Sequence, residues 1–318
     1  MLQERFRLMA KVCQLYFVEG LNQQAIADHY GISRTQVSRL ISAAKTEGIV
    51  EINIRHPFGH VSEMEKELVK HFQLTDVVLV DTNGVDELVA EILLAQAGAA
   101  YLENIIKNEY IIGVMAGKSI ANLAQEMTDI SKKNLQFVPM IGGWGSEGTD
   151  WHANANTTRF AKNVKGSHWL LNAPAIVSSN DIRNHLIQEP EILKIKKLFQ
   201  KIDVALIGIG EISECATFVQ STNMGLDQLR SILDKGAVAS ICTSLINANG
   251  EEIDTVFAQQ MIGISSEELK HIPNVIGTAR GEHKVDAILA AVRGKWIDVL
   301  VTDLNTAKKM LEQENINI

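Results

Sequence analysis

Three glycine-rich turns hold the residues best suited to chemistry in this 318-residue chain. The stretch "GVMAGKS" ends in Gly117, Lys118 and Ser119, where a strand pattern gives way to a helix pattern. Free backbone amides, a cation and a hydroxyl at a helix start suit a phosphate. The stretch resembles the tail of a phosphate-binding P-loop but is not one, because residue 112 is Ile and Gly113 lies one position too close to Gly117. "MIGGWGSEG" (140–148) supplies Gly142 and Gly143, where backbone can approach a ligand, and Trp144, which can stack on it. "IGIGE" (207–211) adds Gly208 and Gly210, and Lys284 falls in the first turn of the helix pattern in "ARGEHKVDAILAAVRG" (279–294). A lysine there can reach an anionic ligand. A carbonyl isomerase would need a general base, for which Glu211, Glu282 and Asp303 are the available turn carboxylates. None belongs to an Asp/His/Glu cluster, so no catalytic residue is assigned. A Schiff base on Lys118 or Lys284 would require a depressed pKa.

A second constellation lies in "QQAIADHYGISRTQVSRLIS" (23–42). Ala27 is small where two helices must approach, and Gly31 follows where the turn needs a positive φ. Ile26, Ile32, Val37 and Leu40 supply the apolar contacts, and Ser33 stands at the N-cap of the following helix. That leaves Arg34, Thr35, Gln36, Ser38 and Arg39 on its outer face, with Gln23 and Ser33 at the helix starts. Such side chains hydrogen-bond base edges or phosphates. This is the pattern of a helix-turn-helix whose partner is double-stranded operator DNA.

The elements that must position these residues fall into two regimes. Apolar spacing predicts helices over 5–19, 23–29 and 34–45, then a strand over 49–55 that makes the module a winged variant. A helix over 61–74, with Met64, Leu68 and Phe72 every four residues, is expected either to pair with another subunit or to pack on its own body. From Thr75 onward, strand patterns at 76–81, 110–117, 136–143, 168–177, 204–210, 238–247, 274–281 and 298–303 alternate with helical stretches that include 87–107, 119–128 and 283–293. Apolar strands alternating with amphipathic helices mean a mostly parallel sheet covered on both faces. Ligands bind such sheets beyond the carboxyl ends of the strands. The expected fold class is therefore α/β, with domains at 1–57 (winged helix-turn-helix) and 58–318 (linker helix and Rossmann-like effector and oligomerisation domain).

The chain is acidic, with 38 Asp+Glu against 30 Lys+Arg, an overall charge that repels DNA. The charge is unevenly spread. Met1 to His60 carries seven basic and five acidic residues, so the rest of the chain carries net −10. DNA affinity depends on local phosphate neutralisation. Cys13, Cys215 and Cys242 are far apart, which argues against disulfides and against a cysteine-based zinc site. No metal and no cofactor is expected. No apolar run reaches the ~18 residues of a membrane span, and the charged N-terminus "MLQERFRLMAKV" is not a signal peptide. The expected location is the cytoplasm, without membrane attachment.

The motifs "LYFVEGLNQQAIADHYGISRTQVSRLISAAKTEGIVEI", "VPMIGGWG", "NAPAIV", "VALIGIG" and "NVIGTARGEHKVDAILAAVRGKWIDVLVTDLNTA" together resemble the SorC (SorC/DeoR-type) family of bacterial sugar-responsive regulators over nearly the whole chain. The resemblance implies a C-terminal domain similar to ribose-5-phosphate isomerase and glucosamine-6-phosphate deaminase, phosphorylated sugars as effectors, and homo-oligomers, often tetramers. It implies that Lys118 and Ser119 lie in a phosphate-holding turn and that Lys284 contacts the effector. It also places Ser240 where relatives commonly carry an acidic residue facing sugar hydroxyls, Asn247 where they carry a "FDANG"-like segment, and Trp144 in a slot usually given to a smaller residue. The expected function is a DNA-binding regulator of a carbohydrate-utilisation operon, controlled by a sugar, sugar-phosphate or polyol effector, and not an enzyme. The alternatives are a sugar-phosphate isomerase or deaminase, and an architectural DNA binder without a small ligand.

Overall fold

The computed structural model describes residues 2–50, 59–145, 149–214, 216–222 and 224–316. The chain divides into two units, Met1–Gly59 and His60–Ile318.

The first unit holds α1 (Leu2–Phe17), α2 (Gln23–Tyr30) and α3 (Arg34–Thr46). Met9, Val12 and Cys13 of α1 meet Ile26 and Ala27 of α2 and Val37, Ile41 and Ala44 of α3 in one buried cluster. Each of these apolar residues recurs at helical spacing on the face that turns inward. Residues 51–55 of the expected wing strand lie outside the described residues, and Ile49 and Val50 are half-buried and not in a strand.

The second unit opens with α4 (Gly59–Phe72) and β1 (Asp76–Val80). Then come α5 (Glu87–Ile105), β2 (Ile111–Val114), α6 (Lys118–Glu126), β3 (Gln136–Pro139), α7 (Ala153–Val164) and β4 (Ser167–His168). Next are α8 (Asn180–Leu186), α9 (Pro190–Phe199), β5 (Val204–Gly208), β6 (Gly210–Glu211), α10 (Thr217–Ser221) and α11 (Leu226–Asp234). The chain then forms β7 (Ala237–Ile241), β8 (Ser244–Asn247), α12 (Val256–Gln259) and α13 (Ser266–Lys270). It closes with β9 (Val275–Thr278), α14 (Val285–Arg293), β10 (Val299–Asp303) and α15 (Leu304–Gln313).

Seven strands form one parallel sheet in the order β1-β10-β9-β5-β2-β3-β4, as the alternation of strand and helix patterns requires. Its central strands are apolar and buried throughout because helices cover both faces. One face packs Leu94 and Leu102 of α5, Leu123 of α6 and Phe160 of α7 against Val114, Leu206 and Val301. The other packs Ile288 and Leu289 of α14 and Ile195 and Phe199 of α9 against Ile207 and Leu300. Each such fully buried side chain contributes about 1.5–3 kcal/mol. By length and composition α5 is apolar enough to cross a membrane. Its buried residues, among them Leu94, Ala99 and Leu102, pack on the sheet instead.

The structure bears out one of two alternatives and corrects two expectations. The 61–74 helix packs on its own body, with Val61, Leu68, Phe72 and Leu74 buried in this unit's core. Glu65 of the same helix accepts the Leu79 amide at 3.0 Å, covering part of the open edge of β1. The 168–177 run is a strand only at its start. Beyond Leu171 it makes the isolated bridges Gly143↔Pro174 and Ile176↔Met261, and Pro174 has no amide to donate to a ladder. The 238–247 run is an antiparallel hairpin, turned at Cys242–Thr243 with Cys242 at φ 53°. It carries no Asn-Gly or Gly-first turn signal, so packing and not local sequence sets the turn. β6, β7 and β8 form a separate three-stranded sheet, which the chain enters by leaving the main sheet after Gly208.

Candidate functional site

In the first unit, the turn between α2 and α3 is fixed at both ends. Asn22 Oδ1 accepts the Ala25 amide at 2.9 Å, and Gly31 (φ 63°) ends α2 in the left-handed conformation while donating to Ala27 O. Ser33 Oγ accepts the Gln36 amide at 3.2 Å, and Gln36 Oε1 accepts the Ser33 amide at 2.9 Å. This reciprocal cap fixes where α3 begins. Val37 is fully buried, which rotates Arg34, Thr35, Gln36 and Arg39 outward into solvent. Ser33 is also exposed, whereas Ser38 and Gln23 are half-buried. α3 contains no acidic residue. Among the described residues neither Arg34 nor Arg39 has an ion-pair partner, so both guanidinium groups are free to meet phosphates or base edges.

In the second unit, a cavity of about 540 Å³ opens beyond the carboxyl ends of β2, β5 and β9. Eight of the ten expected effector residues line it: Gly117, Lys118, Ser119, Trp144, Gly208, Gly210, Ser240 and Lys284. Gly142 and Gly143 do not. The Gly142 amide donates to Ile262 O at 3.0 Å, and a Cβ there would stand 2.5 Å from Ala173 O. Gly143 donates to Ala173 O and accepts from Ala175, both at 2.8 Å. Gly142 serves a close crossing of two chain segments, and the amides of both glycines are already used.

Gly117 is the N-cap of α6 at φ 139° and ψ 150°, a region open to glycine alone. Its amide donates to Trp151 O at 2.9 Å. The next amides, at the start of α6, have no carbonyl within the helix to receive them. They add the positive end of the helix dipole beside the exposed Lys118 ammonium. Lys284, half-buried, closes the turn between β9 and α14. Neither lysine has an ion-pair partner among the described residues.

The cavity also has carboxylates and aromatic rings that the sequence patterns did not single out. Glu87 and Glu91, from the first turns of α5, line it and meet Arg280 behind it. Arg280 Nη2 donates to Glu87 Oε2 and Nε donates to Asp303 Oδ2, both at 3.1 Å, and Nη1 donates to Glu91 Oε1 at 3.0 Å. The hydrogen bond from Arg280 holds the Glu87 carboxyl below its ordinary range. Burial works against the charged Arg280, but these carboxylates outweigh it and raise its pKa. Asp303 also N-caps α15 by accepting the Thr306 amide at 2.8 Å, so it is committed to structure. Glu282 does not line the cavity. Glu211 lines it, accepts from Ser213 Oγ at 3.2 Å and lies 3.9 Å from His283 Nε2. The i, i+4 spacing of Glu87 and Glu91 in an otherwise apolar helix was the available signal. Trp144 is buried edge-to-face against Phe218, and Phe218 against Phe257, giving the cavity an aromatic wall to which Trp151 adds. Cys242 also lines the cavity, and burial pushes its thiol up in pKa, away from nucleophilic chemistry at neutral pH. Cys215 lies outside the described residues.

Comparison with known proteins gives one consistent result. Residues 56–312 match the Sugar-bind family model, described as "Putative sugar-binding domain". The sorbitol operon regulator of Klebsiella pneumoniae is 29% identical over 96% of this chain and 98% of its own. The transcriptional regulator LsrR of Escherichia coli O139:H28 (strain E24377A / ETEC) is 30% identical over 95% of this chain and 94% of its own. The crystal structure of the full-length sorbitol operon regulator SorC from Klebsiella pneumoniae superposes with a TM-score of 0.76 at 28% identity, covering 96% of this chain and 98% of that one.

Proposed function

We propose, from the premise that this chain belongs to the SorC family of bacterial sugar-responsive transcriptional regulators, that α3 reads operator DNA and that the strand-end cavity holds a phosphorylated sugar or polyol. The protein regulates transcription of a carbohydrate operon in response to a sugar. The observation that carries the effector reading is the Gly117–Lys118–Ser119 turn. It combines the first amides of a helix, a cation without an ion-pair partner among the described residues and a hydroxyl on one wall of the cavity. A phosphate is the common ligand for that set. Lys284 supplies a second cation, while Glu211 and Ser240 accept or share hydrogen bonds with hydroxyl groups.

One helix-turn-helix binds weakly, so the operator is read by a dimer or tetramer presenting paired recognition helices. The effector changes regulation only by binding two arrangements of that oligomer with different affinity. The protein acts in the cytoplasm, where its DNA is, and without catalysis. Asp303 is occupied by Arg280, Thr82 and the start of α15, which leaves no free base at that strand end.

The test is a thermal-shift screen of the full-length chain against sugar phosphates, free sugars and polyols, followed by operator binding. A selective hit raises the melting temperature by mass action. Lys118→Ala and Lys284→Ala are expected to abolish the shift and the effector response while leaving binding to a selected operator fragment intact. A shift that survives both substitutions, or one given only by unphosphorylated compounds, overturns the phosphate reading. Turnover of any panel member would favour the isomerase or deaminase alternative.

A further inference from the structure

Asn156 stands behind the cavity, in α7, and is fully buried. It lines nothing. Its Nδ2 donates to three backbone carbonyls: Met115 at 3.1 Å, Trp151 at 3.1 Å and Gly117 at 3.3 Å. These belong to two segments far apart in the chain, the turn from β2 to α6 (Met115 and Gly117) and the 3-10 turn Thr149–Trp151. All three residues line the cavity. A single side chain thus ties together two pieces of its wall.

The chemistry of the amide fixes its orientation. Two N–H groups are shared among three carbonyls, and the reversed amide would set oxygen against three oxygens. The consequence is that Asn156 Oδ1 is buried without a hydrogen-bond partner among the described residues. An unsatisfied buried acceptor costs free energy. What the two N–H groups hold is the turn at Gly117. Gly117 sits in a glycine-only conformation, with its amide on Trp151 O and its carbonyl shared between Asn156 and the Ala121 amide at 3.0 Å. Without Asn156 all three carbonyls lose a donor; Gly117 O keeps the Ala121 amide and Trp151 O keeps the Gly117 amide, while among the described residues Met115 O keeps no other partner.

We propose that Asn156 is the positioning residue of the effector cavity. It holds the Gly117–Ser119 turn and Trp151 in the geometry that presents the α6 amides to an anion. The functional half of this inference rests on the reading of the cavity as an anion-binding effector site.

The experiment uses the full-length chain and needs no effector for its first measurement. Hydrogen exchange of Asn156→Ala, compared with wild type, is expected to quicken at least tenfold for the amides of Gly117 and Ala121, with β9 and β10 unchanged. Exchange that is unchanged, or that quickens equally in β9 and β10, overturns the positioning role. If the alanine variant does not fold, Asn156→Asp keeps the shape. It sets an oxygen against the three carbonyls and is expected to give the same local loosening. The second measurement titrates inorganic phosphate against tryptophan fluorescence, reporting from Trp144 and Trp151. Phosphate affinity is expected to fall at least tenfold in the variant that shows local loosening, while binding to a selected operator fragment is kept. Wild-type chain that ignores phosphate overturns the effector reading. Unaltered phosphate affinity in the loosened variant overturns the role of Asn156 alone.

Discussion

Ser33 and Gln36 cap one another, the Ser33 amide donating to Gln36 Oε1 at 2.9 Å while the Gln36 amide donates to Ser33 Oγ at 3.2 Å. The side chain expected to touch DNA is therefore also the one that fixes where the recognition helix begins. Only its NH2 remains free to donate to a base or phosphate. The two roles separate by substitution. Gln36→Glu keeps the acceptor and the cap but sets a negative charge against the phosphates. It should leave melting temperature within experimental error and abolish operator binding. Gln36→Ala should lower stability of the first unit by about 1 kcal/mol, with a smaller loss of affinity. Retained operator binding in Gln36→Glu would remove this residue from the interface.

Arg34 and Arg39 carry no such structural duty, being exposed and without ion-pair partners among the described residues. Their replacement by alanine should therefore cost affinity without stability. A base contact is typically worth about 1–3 kcal/mol. A phosphate contact instead lowers the slope of log affinity against log salt by about 1. Operator titrations at several salt concentrations distinguish the two. If both alanine variants bind like wild type, α3 is not the recognition helix.

Much of this architecture was legible in the sequence because its signals are local. Gly31 needed a positive φ, Val37 and Ile26 repeated at helical spacing, and Gly117-Lys118-Ser119 marked a strand-to-helix turn. What escaped depends on contacts far apart in the chain. Gly142 and Gly143 read as ligand glycines, yet their amides are bonded to Ile262 O and Ala173 O, and Gly142 is needed because residues 173–174 cross it closely. The hairpin at Cys242 lacks turn residues and is imposed by packing of β7 against β6 and α14. Asn156 reads as an ordinary polar residue in "HANANTTRF", and its importance lies in three carbonyls 5, 39 and 41 positions away.

Arg280 binds three carboxylates, and its side chain is 13% exposed, while that of Asp303 is 4% exposed. Removing the guanidinium leaves Asp303 and Glu91 as poorly solvated charges. Arg280→Ala should destabilise the second unit by roughly 3 kcal/mol, the low end for breaking a buried pair, since Glu87 is largely exposed and loses little. Arg280→Lys should recover only part of this, because one ammonium cannot span three carboxylates in the same fork geometry. Chemical denaturation of the two variants measures both. A loss below about 0.5 kcal/mol in Arg280→Ala, the scale of surface pairs, would mean the cluster is not what holds α5 to the sheet.

Glu314, just after α15, joins three helices. It pairs with Arg293 at the end of α14 and with His71 of α4 at 3.2 Å. Burial alone would raise its pKa, but these two partners outweigh it and hold the carboxyl below the ordinary value of 4.5. A folded-state pKa below the unfolded one means that the ionised form favours folding. That contribution is complete above about pH 5.5, one unit over the unfolded value. It is lost as pH falls through 4.5 and then through the lower folded value. Glu314→Gln cannot titrate, so its melting temperature should lie below that of wild type at pH 7 and converge with it as pH falls below 4. Melting curves of both proteins across pH 3–7 test this. A constant gap over that range would mean that Glu314 contributes through packing and hydrogen bonding that survive protonation, and not through its charge.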